Sequence, residues 1–139
     1  MKWFEHFIDI TARRPSGWIG KKLYINASNH RAGFELLKDN IALQGHENVL
    51  EVGCGAGVLL EELLVQANSA AAIDHSQDML QLAKARNQKA IADNRLTLHQ
   101  GDVHSLPWPD NHFDAIASSH MFFFVEQPEI MLAEAYRVL

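Results

Sequence analysis

The sequence predicts an α/β fold, a doubly wound parallel sheet with a helical arm at its amino end. Short apolar segments typical of buried strands alternate with longer segments of helical periodicity. The first apolar segment leads directly into a glycine-rich turn and a helical pattern, and the next one ends in a carboxylate. Because parallel strands are joined by crossover helices, this alternation predicts a parallel sheet with right-handed crossovers.

Residues 1–45 are predicted to form the helical arm. Apolar residues recur near helical spacing from Met1 to Leu43, and Pro15-Ser16-Gly17 interrupts the pattern. The arm is rich in aromatic and basic side chains and precedes the glycine turn. Two interpretations therefore stand with equal weight: a lid that folds over a ligand, and a helical cap packed on the sheet.

Residues 46–139 are predicted to form the sheet domain. Its strands are expected at Asn48–Val52, Ser69–Asp74, Leu96–His99 and Phe113–Ser118. These segments are largely apolar, as expected of parallel strands that are covered on both faces. In such sheets the ligand binds at the carboxyl ends of the strands, which is where Asp74 lies.

The predicted helices follow the first, second and fourth strands. They are Val58–Gln66, a helix that Ser76 caps and that runs to about Asp93, and Gln127–Leu139. Ser76 suits an N-cap because its hydroxyl oxygen can accept a hydrogen bond from the first helical turn. Pro128 suits the first turn of the last helix, since proline has no N–H to satisfy there.

Composition excludes several classes of protein. The chain has 12 basic and 17 acidic residues, a formal charge of -5 and no dense basic run, which argues against a nucleic-acid partner. Cys54 is the only cysteine, so no intrachain disulfide forms. No apolar run approaches the ~20 residues of a membrane span. The eight histidines lack the spacing of metal ligands, so no metal site is predicted. A cytoplasmic protein is expected.

The glycine turn itself indicates a ligand of the nucleotide type. Gly53, Gly55 and Gly57 leave no Cβ between the backbone and a ligand, and the helix that follows offers unpaired N–H groups. In the dinucleotide fingerprint a small residue stands three places after the second glycine, where this chain has Val58. Glu51, two residues before the first glycine, suits a ligand with a cationic end, such as an adenosyl sulfonium amino acid.

Two further acids are expected at the same edge of the sheet. Asp74 stands 21 residues after Gly53, where a carboxylate can accept from both ribose hydroxyls. That feature fits nicotinamide cofactors equally well, so an NAD-dependent oxidoreductase remains an alternative. Asp102, at the tip of the third strand, can accept from an adenine amine, beside the Val103 N–H, which can pair with a ring nitrogen.

Several ordered motifs then resemble a known family. They are Val49-Leu50-Glu51-Val52-Gly53-Cys54-Gly55-Ala56-Gly57, Asp74-His75-Ser76-x-x-Met79-Leu80, Gly101-Asp102-Val103-x-x-Leu106-Pro107-Trp108-x-Asp110-x-x-Phe113-Asp114 and Glu134-Ala135-Tyr136-Arg137-Val138-Leu139. Together they are similar to the motifs of class I S-adenosylmethionine-dependent methyltransferases, in particular the ubiquinone and menaquinone biosynthesis branch, methyltransferase type 11. The resemblance runs from about Asn48 to Leu139.

The resemblance implies a Rossmann-like sheet of strand order 3-2-1-4, S-adenosyl-L-methionine as cofactor and methyl transfer to a small-molecule acceptor. The implied cofactor-binding residues are Glu51, Gly53, Cys54, Gly55, Gly57, Asp74, His75, Met79, Asp102, Val103 and Ser118. Glu51 and the turn would hold the methionine part, Asp74 the ribose and Asp102 the adenine edge. Met79 is expected on an adenine face or in the core, and Ser118 near the sulfonium. His120 is expected to line the pocket or to act as a base, and no catalytic residue is assigned.

The chain departs from the family pattern at its carboxyl end. Members of the family normally continue through further strands, whereas this sequence ends at Leu139. The expectation is a fragment of a longer protein, or a homo-oligomer or amino-terminal arm that covers the edge of the fourth strand. A module that binds the cofactor without turnover is therefore a second hypothesis.

Overall fold

The computed structural model of the chain describes residues 31–139. Its elements are α1 (Arg31–Ile41), β1 (Asn48–Val52), α2 (Val58–Leu63), β2 (Ser69–Asp74), α3 (Gln77–Arg86), α4 (Gln88–Ala92), β3 (Leu96–Gln100), β4 (Ala115–Ala117), a 3-10 helix (Phe122–Phe124) and α5 (Pro128–Val138). Strands and helices alternate along the chain as the sequence predicts.

The four strands form one parallel sheet in the order β3-β2-β1-β4. The register places Asn48 of β1 opposite Ser69 of β2, and Glu51 of β1 opposite Ala117 of β4. The predicted fold class and strand order are confirmed. Because all four strands point the same way, their carboxyl ends lie along one edge of the sheet.

The central strands are buried because helices cover both faces of the sheet. Leu50 and Val52 of β1 pack with Phe113 and with the α5 residues Met131 and Val138 on one face. On the other face, Ala70 and Ala72 of β2 pack against α2 and α3, and Val49 packs against α2 and α1. Those two clusters also contain Leu59, Leu60, Leu63, Leu64, Leu80 and Ala83. Side chains alternate along a strand, so Glu51 shares the second face with Val49.

The helix after β2 differs from the prediction because it is broken. Instead of one helix to about Asp93, α3 ends at Arg86 and α4 begins at Gln88, with Asn87 between them at φ -107° and ψ 28°. The side-chain amide of Asn87 donates to the carbonyls of Ala83 and Gly57, both at 3.0 Å. An asparagine amide that bonds to the backbone competes with helix propagation in this way.

The described part of the arm packs on the sheet domain. α1 is helical as predicted, and its Phe34 is buried with Val49, Leu59 and Ala117. The rest of the predicted arm, with the interruption at Pro15-Ser16-Gly17 and the proposed lid, lies outside the described residues. The division of the chain at residue 45 stays a prediction. Across residues 31–139, no helix combines the length and apolar character needed to cross a bilayer.

Candidate functional site

The carboxyl edge of the sheet brings the predicted site residues together. Glu51 lies in β1 and Asp74 ends β2, and these two strands pair directly. Asp102 follows β3, and Ser118 directly follows β4. Four successive strands therefore present polar groups toward one crevice, as ligand sites in open α/β sheets do.

The glycine turn after β1 has three glycines of positive φ with different surroundings. Gly53 (φ 74°), Gly55 (φ 50°) and Gly57 (φ 74°) lie in a backbone region that other residues rarely adopt. A Cβ on Gly55 would meet nothing within 4 Å, whereas one on Gly57 would lie 2.8 Å from the Asn87 amide and 2.9 Å from Ala83. Gly55 therefore faces open space, and Gly57 permits close packing of the turn on α3.

Glu51 is the most deeply buried acid of the site. It is 1% exposed, and its Oε2 atom has no hydrogen-bond partner among residues 31–139. Desolvation, followed by repulsion from Asp74, raises the pKa of this carboxyl well above its ordinary value, although a hydrogen bond from the Leu60 backbone acts in the opposite direction. A buried acid of this kind is complementary to a cationic group brought by a ligand.

Asp74 organises the glycine turn. Its Oδ2 accepts the Gly55 N–H at 2.8 Å, and its Oδ1 accepts the Ser76 N–H at 2.9 Å. Each carboxylate oxygen keeps a further lone pair that can accept from a hydroxyl. His75 lies next to it, with Nδ1 3.6 Å from Asp74 Oδ1 and the ring about half exposed.

Two other predicted residues are buried, and a third has a buried hydroxyl. Cys54 is buried, and desolvation, with Glu51 and Asp74 nearby, raises the pKa of its thiol well above the ordinary value, which disfavours the nucleophilic thiolate. Met79 has no exposed surface, so its contact with an adenine face stays a prediction. Ser118 has a buried hydroxyl with no hydrogen-bond partner among the described residues.

The loop after β3 supplies the outer part of the crevice. Asp102 Oδ1 accepts from the His104 backbone N–H at 2.9 Å and lies 2.6 Å from His104 Nδ1. These hydrogen bonds lower the pKa of the Asp102 carboxyl. Neither Asp102 Oδ2 nor the Val103 N–H has a partner within residues 31–139. The side chain of Asp102 is 70% exposed, whereas Val103 is buried, so Oδ2 of Asp102 is the more accessible of the two groups.

An ion-paired network holds this loop on α5. Arg137 donates to both carboxylate oxygens of Glu134 at 2.7 and 2.8 Å, and also to the carbonyls of Leu106 and Trp108. Glu134 in turn accepts the Leu106 N–H at 2.8 Å. The bonds from Arg137 lower the pKa of Glu134 from 4.5 to about 2. The position of the loop is thus determined by charged side chains far along the sequence.

Sequence reasoning did not identify Met121, His104 or Asn87. A Cβ on Gly53 would lie 2.7 Å from Met121 Cγ, so this methionine covers the start of the glycine turn. His104 contacts Asp102, and the available signal was its position two residues later. An Asp side chain in a turn commonly accepts from the backbone N–H two residues on, as it does here. No local pattern pointed to Met121 or Asn87, since both act across the fold.

His120 lies beside the site at φ 60°, with its ring 6.1 Å from the Phe34 ring in an edge-to-face arrangement. Its role as a pocket-lining residue or as a base stays a prediction. Within the described range 31–139, no three His, Cys, Asp or Glu side chains are grouped so as to hold a metal ion.

Residues 50–139 match the family described as "Methyltransferase domain". The chain belongs to the methyltransferase domain family. A ubiquinone/menaquinone biosynthesis C-methyltransferase, UbiE, of Dinoroseobacter shibae is 33% identical over 112 residues, which cover 79% of this chain and 45% of that protein. The demethylmenaquinone methyltransferase of Oceanobacillus iheyensis is 29% identical over 118 residues, which cover 83% of this chain and 49% of that protein.

Solved structures of methyltransferases share the fold. A SAM-dependent methyltransferase from Aquifex aeolicus superimposes with a TM-score of 0.72 at 27% identity, covering 85% of this chain and 64% of that one. A structure described as a putative S-adenosyl-L-methionine-dependent methyltransferase, from Methanococcus maripaludis, gives 0.71 at 26% identity, covering 99% of this chain and 58% of that one.

These likenesses confirm the resemblance to class I methyltransferases of the UbiE type and do not favour the nicotinamide alternative. The chain spans less than half the length of both quinone-biosynthesis relatives. The activity and substrates of the whole protein are therefore proposed below and not inferred from these relatives alone.

Proposed function

We propose that this chain binds S-adenosyl-L-methionine and takes part in transferring its methyl group to a small-molecule acceptor. Membership in the methyltransferase domain family supports the reaction type. The Aquifex aeolicus and Methanococcus maripaludis structures, whose names include that cofactor, support its identity.

The observation that carries the proposal is the unpartnered Oε2 oxygen of the buried Glu51 carboxylate. Its Oε2 is buried without a hydrogen-bond partner in the described residues, next to a turn where Gly55 leaves open space. A buried carboxylate is stable in its charged form only when a cation and hydrogen-bond donors accompany it. The ammonium group of a methionine moiety supplies both the charge and the donors. The Glu51 carboxylate therefore fits this cofactor better than it fits a pyrophosphate, which is an anion.

The other residues fit the remaining parts of the cofactor. Asp74 would accept from the ribose hydroxyls with its free lone pairs, beside His75. Asp102 Oδ2 would accept from the adenine amine, and the Val103 N–H would donate to a ring nitrogen. The buried hydroxyl of Ser118 would lie near the sulfonium and the acceptor. Gly53, Gly55 and Gly57 shape the turn, and Cys54 and Met79 fill the space behind it.

When bound, the cofactor supplies a methyl group activated by a positively charged sulfur. The task of the chain is to orient the two reactants in line and to keep water out. A sulfonium is a good leaving group, so no acid or base is assigned. The quinone-biosynthesis relatives support an aromatic, quinone-like acceptor. A cytoplasmic location, the absence of a nucleic-acid partner and a homo-oligomer remain predictions of the sequence.

Calorimetric titration with S-adenosylhomocysteine tests the proposal. Saturable binding at micromolar to low millimolar ligand is expected, with no comparable heat from NADH. No heat up to millimolar S-adenosylhomocysteine would contradict it. If the ligand binds but no methyl group reaches demethylated quinone analogues or other acceptors, the binding module without turnover becomes the better description.

A further inference from the structure

The imidazole of His104 bridges two walls of the crevice. Its Nδ1 lies 2.6 Å from Asp102 Oδ1, in the loop after β3. Its Nε2 forms a hydrogen bond with the backbone carbonyl of Glu126, in the segment that follows β4 and the 3-10 helix. The side chain is 27% exposed, so the ring lies largely inside the contact between these two walls.

Both partners of the ring accept hydrogen bonds and neither can donate one. A carbonyl oxygen is only an acceptor, and so is an ionised carboxylate. The pKa of Asp102 is lowered, which keeps that carboxylate ionised. Both ring nitrogens can therefore be satisfied together only if both carry a proton. The geometry thus requires the imidazolium form of His104.

Other charged groups around the ring act in the same direction. The hydrogen bond with the Glu126 backbone and that with Asp102 raise the pKa of His104, and the charges of Asp102 and Glu126 add to the effect, against a smaller opposing contribution from desolvation. His75, from the loop after β2, lies close enough to Asp102 to act on it electrostatically.

The bridge fixes parts of the structure that the cofactor would contact. On one side it holds Asp102 Oδ1, which leaves Oδ2 oriented for a donor. On the other side it holds the segment that begins with Met121, whose side chain covers Gly53, and continues through Phe122–Phe124. The protonated His104 ring therefore connects Asp102, at the adenine end of the crevice, to the segment whose Met121 covers the glycine turn.

We propose that His104 is a positioning residue, which in its imidazolium form holds Asp102 and the segment after β4 in the geometry that binds the cofactor. The proposal rests on the proposed function, because it concerns the same site. Cofactor affinity should be high while His104 is protonated and should fall as the pH rises through its titration. Deprotonation removes one of the two ring hydrogen bonds, although the backbone N–H of His104 still donates to Asp102.

Calorimetry with S-adenosylhomocysteine at pH 6 and pH 8 measures this coupling. The variants are His104→Gln and His104→Lys. The matched control is His46→Gln, because His46 is 75% exposed, lies beside Glu47 and is outside the site. We expect His104→Gln to bind about three- to fivefold more weakly than the unmodified chain at pH 6, as for other partly exposed charged pairs. At pH 8 the factor should be smaller, while any contribution from Glu51 is shared by both proteins. His104→Lys, which stays charged, should retain affinity at both pH values. His46→Gln should match the unmodified chain.

The outcomes separate this role from the proposed function. Absence of binding in every form contradicts the proposed function itself. If the unmodified chain binds the ligand and His104→Gln binds it with the same affinity at each pH, the positioning role is overturned and the proposed function stands. A merely structural role would lower the affinity of His104→Gln by the same factor at pH 6 and pH 8, and that result also overturns the positioning role.

Nuclear magnetic resonance of the histidine ring nitrogens gives a second readout that needs no ligand. The ring of His104 is expected to carry both protons at pH 7 and to titrate above the ordinary histidine range of about 6.5. A neutral His104 ring at pH 7 would overturn the bridge whatever the calorimetry shows.

Discussion

The two ends of the crevice hold acids in opposite situations. At the inner end, Glu51 is 1% exposed and has an oxygen without a partner in the described residues, and burial raises its pKa. At the outer end, the side chain of Asp102 is 70% exposed, and hydrogen bonds from His104 lower its pKa. The sequence motifs present Glu51 as an acid within a strand and Asp102 as an acid just after one, with no sign of this difference.

This difference indicates how binding free energy is distributed over the site. Glu51 lacks a cation of its own among the described residues, so a cationic ligand group there gains a strong, desolvated interaction. Asp102 already has a charged neighbour and lies in water, so a ligand donor gains little more than an ordinary hydrogen bond. The inner end should therefore determine affinity, and the outer end should mainly determine orientation.

Glu51→Gln tests the inner end and should have the largest effect. Removing the charge that faces a buried ligand cation typically costs about 3 kcal/mol, so S-adenosylhomocysteine should bind about a hundredfold more weakly. The same change removes an unpaired buried charge, so the ligand-free protein should become more stable at neutral pH. Calorimetry and urea unfolding of the same samples measure the two effects.

The pH dependence of the Glu51→Gln effect has a definite sign. Because the pKa of Glu51 is raised in the folded state, its proton stabilises the fold at low pH, and this stabilisation is lost as the pH rises through the folded pKa. The stability gained in the variant should therefore grow from acidic to neutral pH. Glu129→Gln, an exposed acid on α5, serves as the control. A variant that binds as tightly as the unmodified chain would show that Glu51 does not face the ligand.

Two glycines of the turn allow ligand contact and protein packing to be separated. Gly57→Ala would place a methyl group against the Ala83 backbone and the Asn87 amide at positive φ. Gly55→Ala meets only the positive φ, which by itself costs roughly 1–2 kcal/mol. We expect Gly57→Ala to lower the free energy of unfolding by about 2 kcal/mol more than Gly55→Ala does, since overpacking costs about 1–3 kcal/mol.

In ligand binding the order of the two variants should be reversed: Gly55→Ala should lose more affinity for S-adenosylhomocysteine than Gly57→Ala does. Gly55→Ala places its methyl group in the open crevice, so it should weaken S-adenosylhomocysteine binding while the protein stays folded. Urea unfolding and calorimetry on both variants give the comparison. If Gly55→Ala binds normally, the open space beside Gly55 is not where the ligand lies.

Much of the fold followed from the sequence because its determinants are local. The apolar strands, the glycine turn and the Ser76 cap, which accepts the Met79 N–H at 3.4 Å, each depend on a few adjacent residues. The break at Asn87 did not follow, because its amide bonds to Gly57, 30 residues away. Burial of Glu51 beneath the site was equally invisible, since an acid within an apolar strand gives no sign of what covers it.

The site could be located but not described in detail from sequence. Asp74 and Asp102 were placed at strand ends by pattern, and the fold brings them to one edge as expected. What Asp102 contacts depends on His104 and, through it, on Glu126, a residue 22 positions further along the chain from His104. Such long-range contacts are set by packing and not by local propensity.

The smallest expected effect concerns the network that holds the outer loop. Glu134 has a folded pKa of about 2 against an ordinary 4.5, so its stabilising contribution is present above pH 4.5 and is lost as the pH falls toward 2. Glu134→Gln should lower the free energy of unfolding by about 1 kcal/mol at pH 7, because partial exposure screens the pair with Arg137. The difference from the unmodified chain should shrink between pH 5 and pH 3 in urea titrations, and Glu129→Gln should show no such trend. Equal destabilisation at both pH values would show that packing, and not the carboxylate charge, anchors the outer end of the crevice.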